Sequence, residues 1–174
     1  MTRTGLHWLA ALLACVALGV PACAVAQAPA PAPATQAQPR LVVQTLDGKT
    51  FNLAAARGKW VIVNFWATWC SPCLAEMPVI SKYVAAHPNV TAIGLAYQPE
   101  PLDEVLKYVR KHPVDYPLAR IDMQRPPAGW VMPAGLPTTD LIAPDGRLAK
   151  RFIGPITAKA LDAAIAAAGG AHKG

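Results

Sequence analysis

The stretch WVIVNFWATWCSPC, Trp60 to Cys73, decides the fold. Its first seven residues are almost wholly apolar, β-branched or aromatic, as expected of a central strand buried on both faces. From Leu74 to Ala86 the apolar residues fall at helical spacing, so the two cysteines sit where a strand gives way to a helix. Pro78 lies inside that helix and predicts a kink. At such a junction the sulfur of Cys70 lies near unpaired backbone N–H groups and the positive end of the helix dipole, which stabilise thiolate over thiol. The thiolate is the attacking form in disulfide exchange, so Cys70 is the expected nucleophile. Cys73, one turn further in, is placed to resolve the mixed disulfide. Ser71-Pro72 between them brings no positive charge, and Pro72 removes a backbone N–H, so thiolate stabilisation is modest and a reductase is favoured over a strong oxidant. A structural disulfide is the plainer alternative, but so short a loop contributes little by chain entropy.

Outward from this centre the chain alternates strands and helices. Leu41 to Leu53 alternates apolar and polar residues around Asp47-Gly48 and predicts a β-hairpin. Val90 to Tyr97 predicts a second buried strand, Pro101 to His112 an amphipathic helix with Leu102, Val105, Leu106 and Val109 on its apolar face, and Tyr116 to Ile121 a short strand. Asp122 to Gly135, rich in Pro and Gly, reads as a loop or short helix. Thr138 to Ala143 and Arg147 to Ile153 flank Pro144-Asp145-Gly146 as an antiparallel hairpin, and Thr157 to Ala168 forms a last helix capped by Gly169-Gly170. The order predicts an α/β fold with a central mixed sheet, parallel in its first half and antiparallel in its second, with helices on both faces.

The N-terminus has a different character. Leu6 to Val20 is an apolar run preceded by Arg3 and followed by Pro21 and small residues. That run is shorter than the ~20 residues a spanning helix needs and has the form of a secretory signal, residues 1–26, with release at Gln27. A retained membrane anchor, or lipidation at Cys23 or Cys15, is the alternative. Residues 27–40, QAPAPAPATQAQPR, read as an extended Pro/Ala-rich linker, leaving 41–174 as the folded domain. Of the chain's four cysteines, only Cys70 and Cys73 fall in that domain. One CxxC pair without a second pair or a paired-histidine motif makes no four-ligand zinc site, and Leu74 after Cys73 excludes a haem-attachment CxxCH.

The segment FWATWCSPC, Phe65 to Cys73, resembles the FWAxWCxPC signature of thioredoxins, and the wider set resembles the TlpA/ResA-like exported thiol-disulfide oxidoreductases of the thioredoxin superfamily. The likeness covers about Leu41 to Ala168. Asn64 stands where thioredoxins carry a buried Asp, and Glu76, in Cys-x-x-Glu-x-Pro, matches the buried active-site Glu of the exported branch. The Pro101 to Ile121 region resembles that branch's central helix-strand insertion. The resemblance implies a thioredoxin-like fold with an N-terminal β-hairpin, a catalytic trio of Cys70, Cys73 and Glu76, and a cis-proline at Pro137 within Gly135-Leu136-Pro137-Thr138-Thr139. Substrate contact is implied at Trp69, Pro72, Leu136, Pro137 and Thr138. Glu76 lies one helical turn beyond Cys73, so a carboxylate there can face the same interior side, and burial would raise its pKa toward neutrality.

The formal net charge is +6, and the cations are dispersed along the chain, so nucleic acid is not implied. No cofactor and no metal is expected. His87 and His112, each before a proline near a helix end, are expected to be exposed rather than ligands. The expected activity is periplasmic reduction of disulfides in exported proteins, with a membrane thiol-transfer protein as electron donor and, by resemblance, apocytochromes c or copper-site cysteines as substrates. The location follows as the periplasm or the outer face of the inner membrane. A general disulfide oxidase or isomerase and a non-enzymatic copper chaperone are the rival readings.

Overall fold

The computed structural model describes residues 38–127 and 130–170. The predicted signal or anchor segment, residues 27–37 of the linker, and Gly129 in the predicted loop lie outside the described residues. Among those described, the order is β1 (Val42–Gln44), β2 (Thr50–Asn52), β3 (Trp60–Trp66), α1 (Ser71–Ala86), β4 (Val90–Ala96), α2 (Leu102–Lys111), β5 (Leu118–Arg120), β6 (Thr138–Ile142), β7 (Leu148–Ile153) and α3 (Ala158–Gly170), with a 3-10 turn over Leu53–Ala56. β1 and β2 form the predicted hairpin, Val43 facing Phe51, closed through Gly48 at φ 82°. The other five strands make one sheet in the order β5-β4-β3-β6-β7.

β3 is the central strand, and all seven of its residues are buried. It pairs in parallel with β4 and antiparallel with β6, while β4 to β5 is parallel and β6 to β7 antiparallel. The sheet is therefore mixed as predicted. Phe65 lies opposite Leu95 on one side and Thr138 on the other. The end of β3 that feeds the CxxC thus lies beside the start of β6, which Pro137 feeds.

Strand alternation divides the core in two. Ile62 and Trp66 of β3 pack with Met77 and Ile80 of α1, Val105 of α2, and Leu161 of α3. Val61, Val63 and Phe65 turn the other way, toward Leu41, Leu53, Ile93 and Trp130. All three helices therefore bear on one face, whereas the hairpin, the 3-10 turn and the Trp130 loop cover the other. The expectation of helices on both faces is corrected here. The crossovers β3-α1-β4 and β4-α2-β5 both step in the same direction, and right-handed crossovers in one direction put their helices on one side.

Two local expectations also change. α3 runs through Gly169 and Gly170 rather than ending before them, since Gly169 does not adopt the left-handed backbone that a glycine cap uses. On α2, Val105 is buried and Leu106 and Val109 are half-buried, but Leu102 in the first turn is exposed.

Candidate active site

Cys70 occupies the N-cap of α1 with an extended backbone, and its Sγ accepts the N–H of Cys73 at 3.3 Å. That bond places the sulfur at the helix N-terminus, where unpaired donors and the dipole favour negative charge. The two cysteines are joined as a disulfide. Both are buried, whereas Ser71 and Pro72 are exposed, with Pro72 in the first helical turn, where a missing N–H costs little. Trp69 is 59% exposed despite its size. The loop before Cys70 is held from the segment that follows β4: Thr68 N–H donates to Oε1 of the buried Gln98 at 2.7 Å.

Glu76, only 2% exposed, sits one turn beyond Cys73 on α1. Its Oε1 accepts from Asn64 Nδ2 at 2.7 Å, and its Oε2 from the backbone N–H of Ile156 at 2.9 Å. Asn64 Nδ2 also donates to Thr139 Oγ1 at 2.9 Å. The carboxyl is thus gripped by neutral donors from β3 and from the turn before α3. Burial pushes its pKa up, and the bonds from Ile156 and Asn64 pull only partly against it. Tyr116 is also buried nearby, and its pKa is raised first by burial and then by the Glu76 charge. Its ring and the Trp66 indole lie against Gly94, where a Cβ would come within 3.2 Å of each.

The Leu136–Pro137 peptide is cis. Pro137 and Thr138 are buried and Leu136 is half-buried. The loop is fastened by Thr138 Oγ1 donating to Gly135 O at 2.7 Å and by Gly154 N–H donating to Pro137 O at 2.9 Å. The structure therefore gathers Cys70, Cys73 and Glu76 at the head of α1 and delivers Leu136, Pro137 and Thr138 to the same end of the sheet. His87 and His112 do not join them: each stacks on a tyrosine of its own helix, Tyr83 at 4.1 Å and Tyr108 at 4.4 Å.

Sequence reasoning missed the residues that hold this site. Gln98, Thr139, Ile156 and Tyr116 carry no local pattern. Asn64 gave a signal, as the one polar residue in WVIVNFW, since a buried amide demands partners. Also missed was the pair Asp140–Arg151, opposite each other on β6 and β7, where Nε and Nη2 each donate to the carboxylate at 2.6 Å. Arg151 Nη2 also donates to Val131 O at 2.7 Å, tying the Trp130 loop to the sheet.

A CxxC at the head of a helix, beside the central strand of a five-stranded mixed sheet with a cis-proline at the same end, defines a thioredoxin-fold thiol-disulfide oxidoreductase. Residues 30–151 match the AhpC/TSA family, and the chain belongs to it. It is 33% identical over 125 residues to the thiol-disulfide oxidoreductase ResA of Bacillus thuringiensis (strain Al Hakam), covering 71% of this chain and 72% of that one. ResA of Bacillus subtilis (strain 168) is 29% identical over 123 residues, covering 68% and 66%. Among solved structures, a thiol:disulfide interchange protein of the thioredoxin family from Chlorobium tepidum TLS superposes with a TM-score of 0.61 at 29% identity, covering 75% of this chain and 93% of that one. The enzyme is a thiol-disulfide oxidoreductase of the ResA type.

Proposed function

We propose that this enzyme works as a reductase of disulfides in exported proteins. The observation that carries the reading is the arrangement on α1: a cysteine at the helix N-cap, a buried partner cysteine, and a buried carboxyl one turn beyond whose pKa is raised by burial. In the reduced enzyme the Cys70 thiolate attacks one sulfur of the substrate disulfide, and the departing substrate thiolate takes up a proton. Cys73 then loses its proton and attacks Cys70, releasing the second substrate thiol and leaving the Cys70–Cys73 disulfide. Two electrons and two protons pass to the substrate. Glu76 assists by exchanging the Cys73 proton, a role that its raised pKa suits. The edge at Leu136 and Pro137 pairs with an extended substrate segment, while Trp69, Pro72 and Thr138 shape its surroundings. Regeneration then calls for an external donor, by resemblance a membrane thiol-transfer protein, and substrates would include the CxxCH of apocytochromes c or the cysteines of copper sites. Residues 1–26 would direct export or serve as the anchor, and the Pro/Ala-rich stretch would space the domain from the membrane. The location would be the periplasm or the outer face of the inner membrane.

Equilibration of the Cys70–Cys73 pair with glutathione tests the direction of electron flow. A potential near that of thioredoxin, about −270 mV, is expected, and one near −120 mV would make the protein an oxidant and overturn the reading. Cys73→Ala should accumulate a mixed disulfide through Cys70, whose partner identifies the substrate.

A further inference from the structure

A cleft of about 430 Å³ opens beside the dithiol loop. Trp69 stands on its loop side, and Glu104, Lys107, Lys111 and His112 line the side formed by α2 and the residue after it. Lys107 and Lys111 are four residues apart on α2, so their side chains share one face of the helix. Neither makes an ion pair among the described residues, where the pairs found are Asp47–Lys49, Asp122–Arg125, Asp145–Arg147 and Asp140–Arg151. Glu104 makes none either. The cleft thus presents two ammonium groups against one carboxylate. Its helical wall is also firmly placed, since Tyr108 leans on the buried Trp66 at 5.7 Å and stacks on His112.

A polypeptide joined to Cys70 through its own sulfur brings its neighbouring residues within reach of the exposed Trp69, the residue before that cysteine. We propose that this cleft is a specificity subsite in which Lys107 and Lys111 favour substrate segments bearing a carboxylate side chain close to the disulfide cysteine. The inference rests on the reductase reading of the dithiol and adds to it the chemical class of the preferred substrate. Exposed charges act mainly on encounter and orientation, so the preference belongs to the second-order rate and weakens with salt.

The test uses the reduced full chain and three synthetic disulfide peptides of equal length whose cysteines are flanked by Glu, Gln or Lys. The wild-type protein should reduce the Glu peptide about three- to ten-fold faster than the Gln peptide at low ionic strength, the scale of one or two exposed charge pairs. Lys107→Gln with Lys111→Gln should remove that advantage and leave the Gln-peptide rate unchanged; Lys107→Glu with Lys111→Glu should turn the preference toward the Lys peptide. Equal rates on all three peptides, or an advantage that survives both double substitutions, would overturn the subsite while leaving the reductase reading in place. If the wild-type protein reduces none of the three, both readings fall together.

Discussion

Two carboxylates are buried to nearly the same degree, Glu76 at 2% exposure and Asp140 at 1%, and the structure treats them in opposite ways. Asp140 faces Arg151 across the β6–β7 ladder and receives two guanidinium bonds, which in turn raise the proton affinity of Arg151. Glu76 is held by an amide and a backbone N–H, with no cation bonded to it among the described residues. Burial of a carboxylate is costly unless a partner charge compensates it. At Asp140 a guanidinium supplies the partner charge, and the result is a clip fastening β7 and, through Val131, the Trp130 loop. At Glu76 it is partial, so the cost appears as a raised proton affinity beneath the dithiol. Burial alone does not make a carboxyl chemically useful. Burial without a counter-charge, next to a group that must gain and lose a proton, is what the proposed mechanism draws on at Glu76.

The sharpest way to break this contrast is at the clip. Asp140→Ala strands Arg151 and should cost about 3 kcal/mol, read as a drop in the urea midpoint of the oxidised protein, while the folded fraction keeps its rate of disulfide exchange. A comparable loss of rate without loss of stability would reverse the two roles. At the other carboxyl, Glu76→Gln should slow substrate reduction at least about tenfold, or 1.4 kcal/mol, and flatten its pH profile, with little change in the urea midpoint near pH 5. An unchanged profile would remove Glu76 from the mechanism.

The same substitution gives a stability signature of definite sign. Between the ordinary carboxyl pKa and its raised folded value, the native state holds the Glu76 proton while the unfolded chain has released it. Native protein then binds more protons, so wild-type stability falls as pH rises through that window. Glu76→Gln lacks this fall, and urea midpoints from pH 4 to pH 8 should show the two curves diverging in favour of the variant. The smallest effect is expected at Gly94→Ala, whose new Cβ would lie 2.5 Å from Leu118 Cδ2 and 3.2 Å from Trp66 Nε1. Leu118 can yield, so about 1 kcal/mol should be lost, with a small change in the Glu76 pH profile through Tyr116.

The parts legible in the sequence were those written in neighbouring residues. WVIVNFW announced a strand buried on both faces, the CxxC announced its junction with a helix, and Asp47-Gly48 and Asp145-Gly146 announced two hairpins. Glu76 was visible by its spacing from Cys73, with family likeness to weigh it. Its grip was not visible, because Thr139 lies 75 residues from Asn64 and Ile156 lies 80 from Glu76, and only the finished register brings them together. The placement of the helices was hidden for a similar reason: it depends on the direction in which successive strands are laid down, not on any helix's own pattern. Asp140 and Arg151 read as ordinary charges on a hairpin until pairing set them face to face.

The small hairpin at the start of the domain has a further consequence. Where β1 ends, Thr45 bridges to Ala119 and Leu46 N–H donates to Leu118 O at 2.7 Å, so main-chain groups of the outer strand β5 are already engaged. Among the described residues the opposite border of the five-stranded sheet, β7, pairs with β6 alone. There the exposed Lys150 reaches over the Phe152 ring at 5.5 Å. Lysine on an unpaired edge strand is one of the charges that discourage edge-to-edge pairing. The two margins of the sheet thus differ in kind: one is engaged by the chain's own backbone, and the other carries a lysine beside the exposed Ile153.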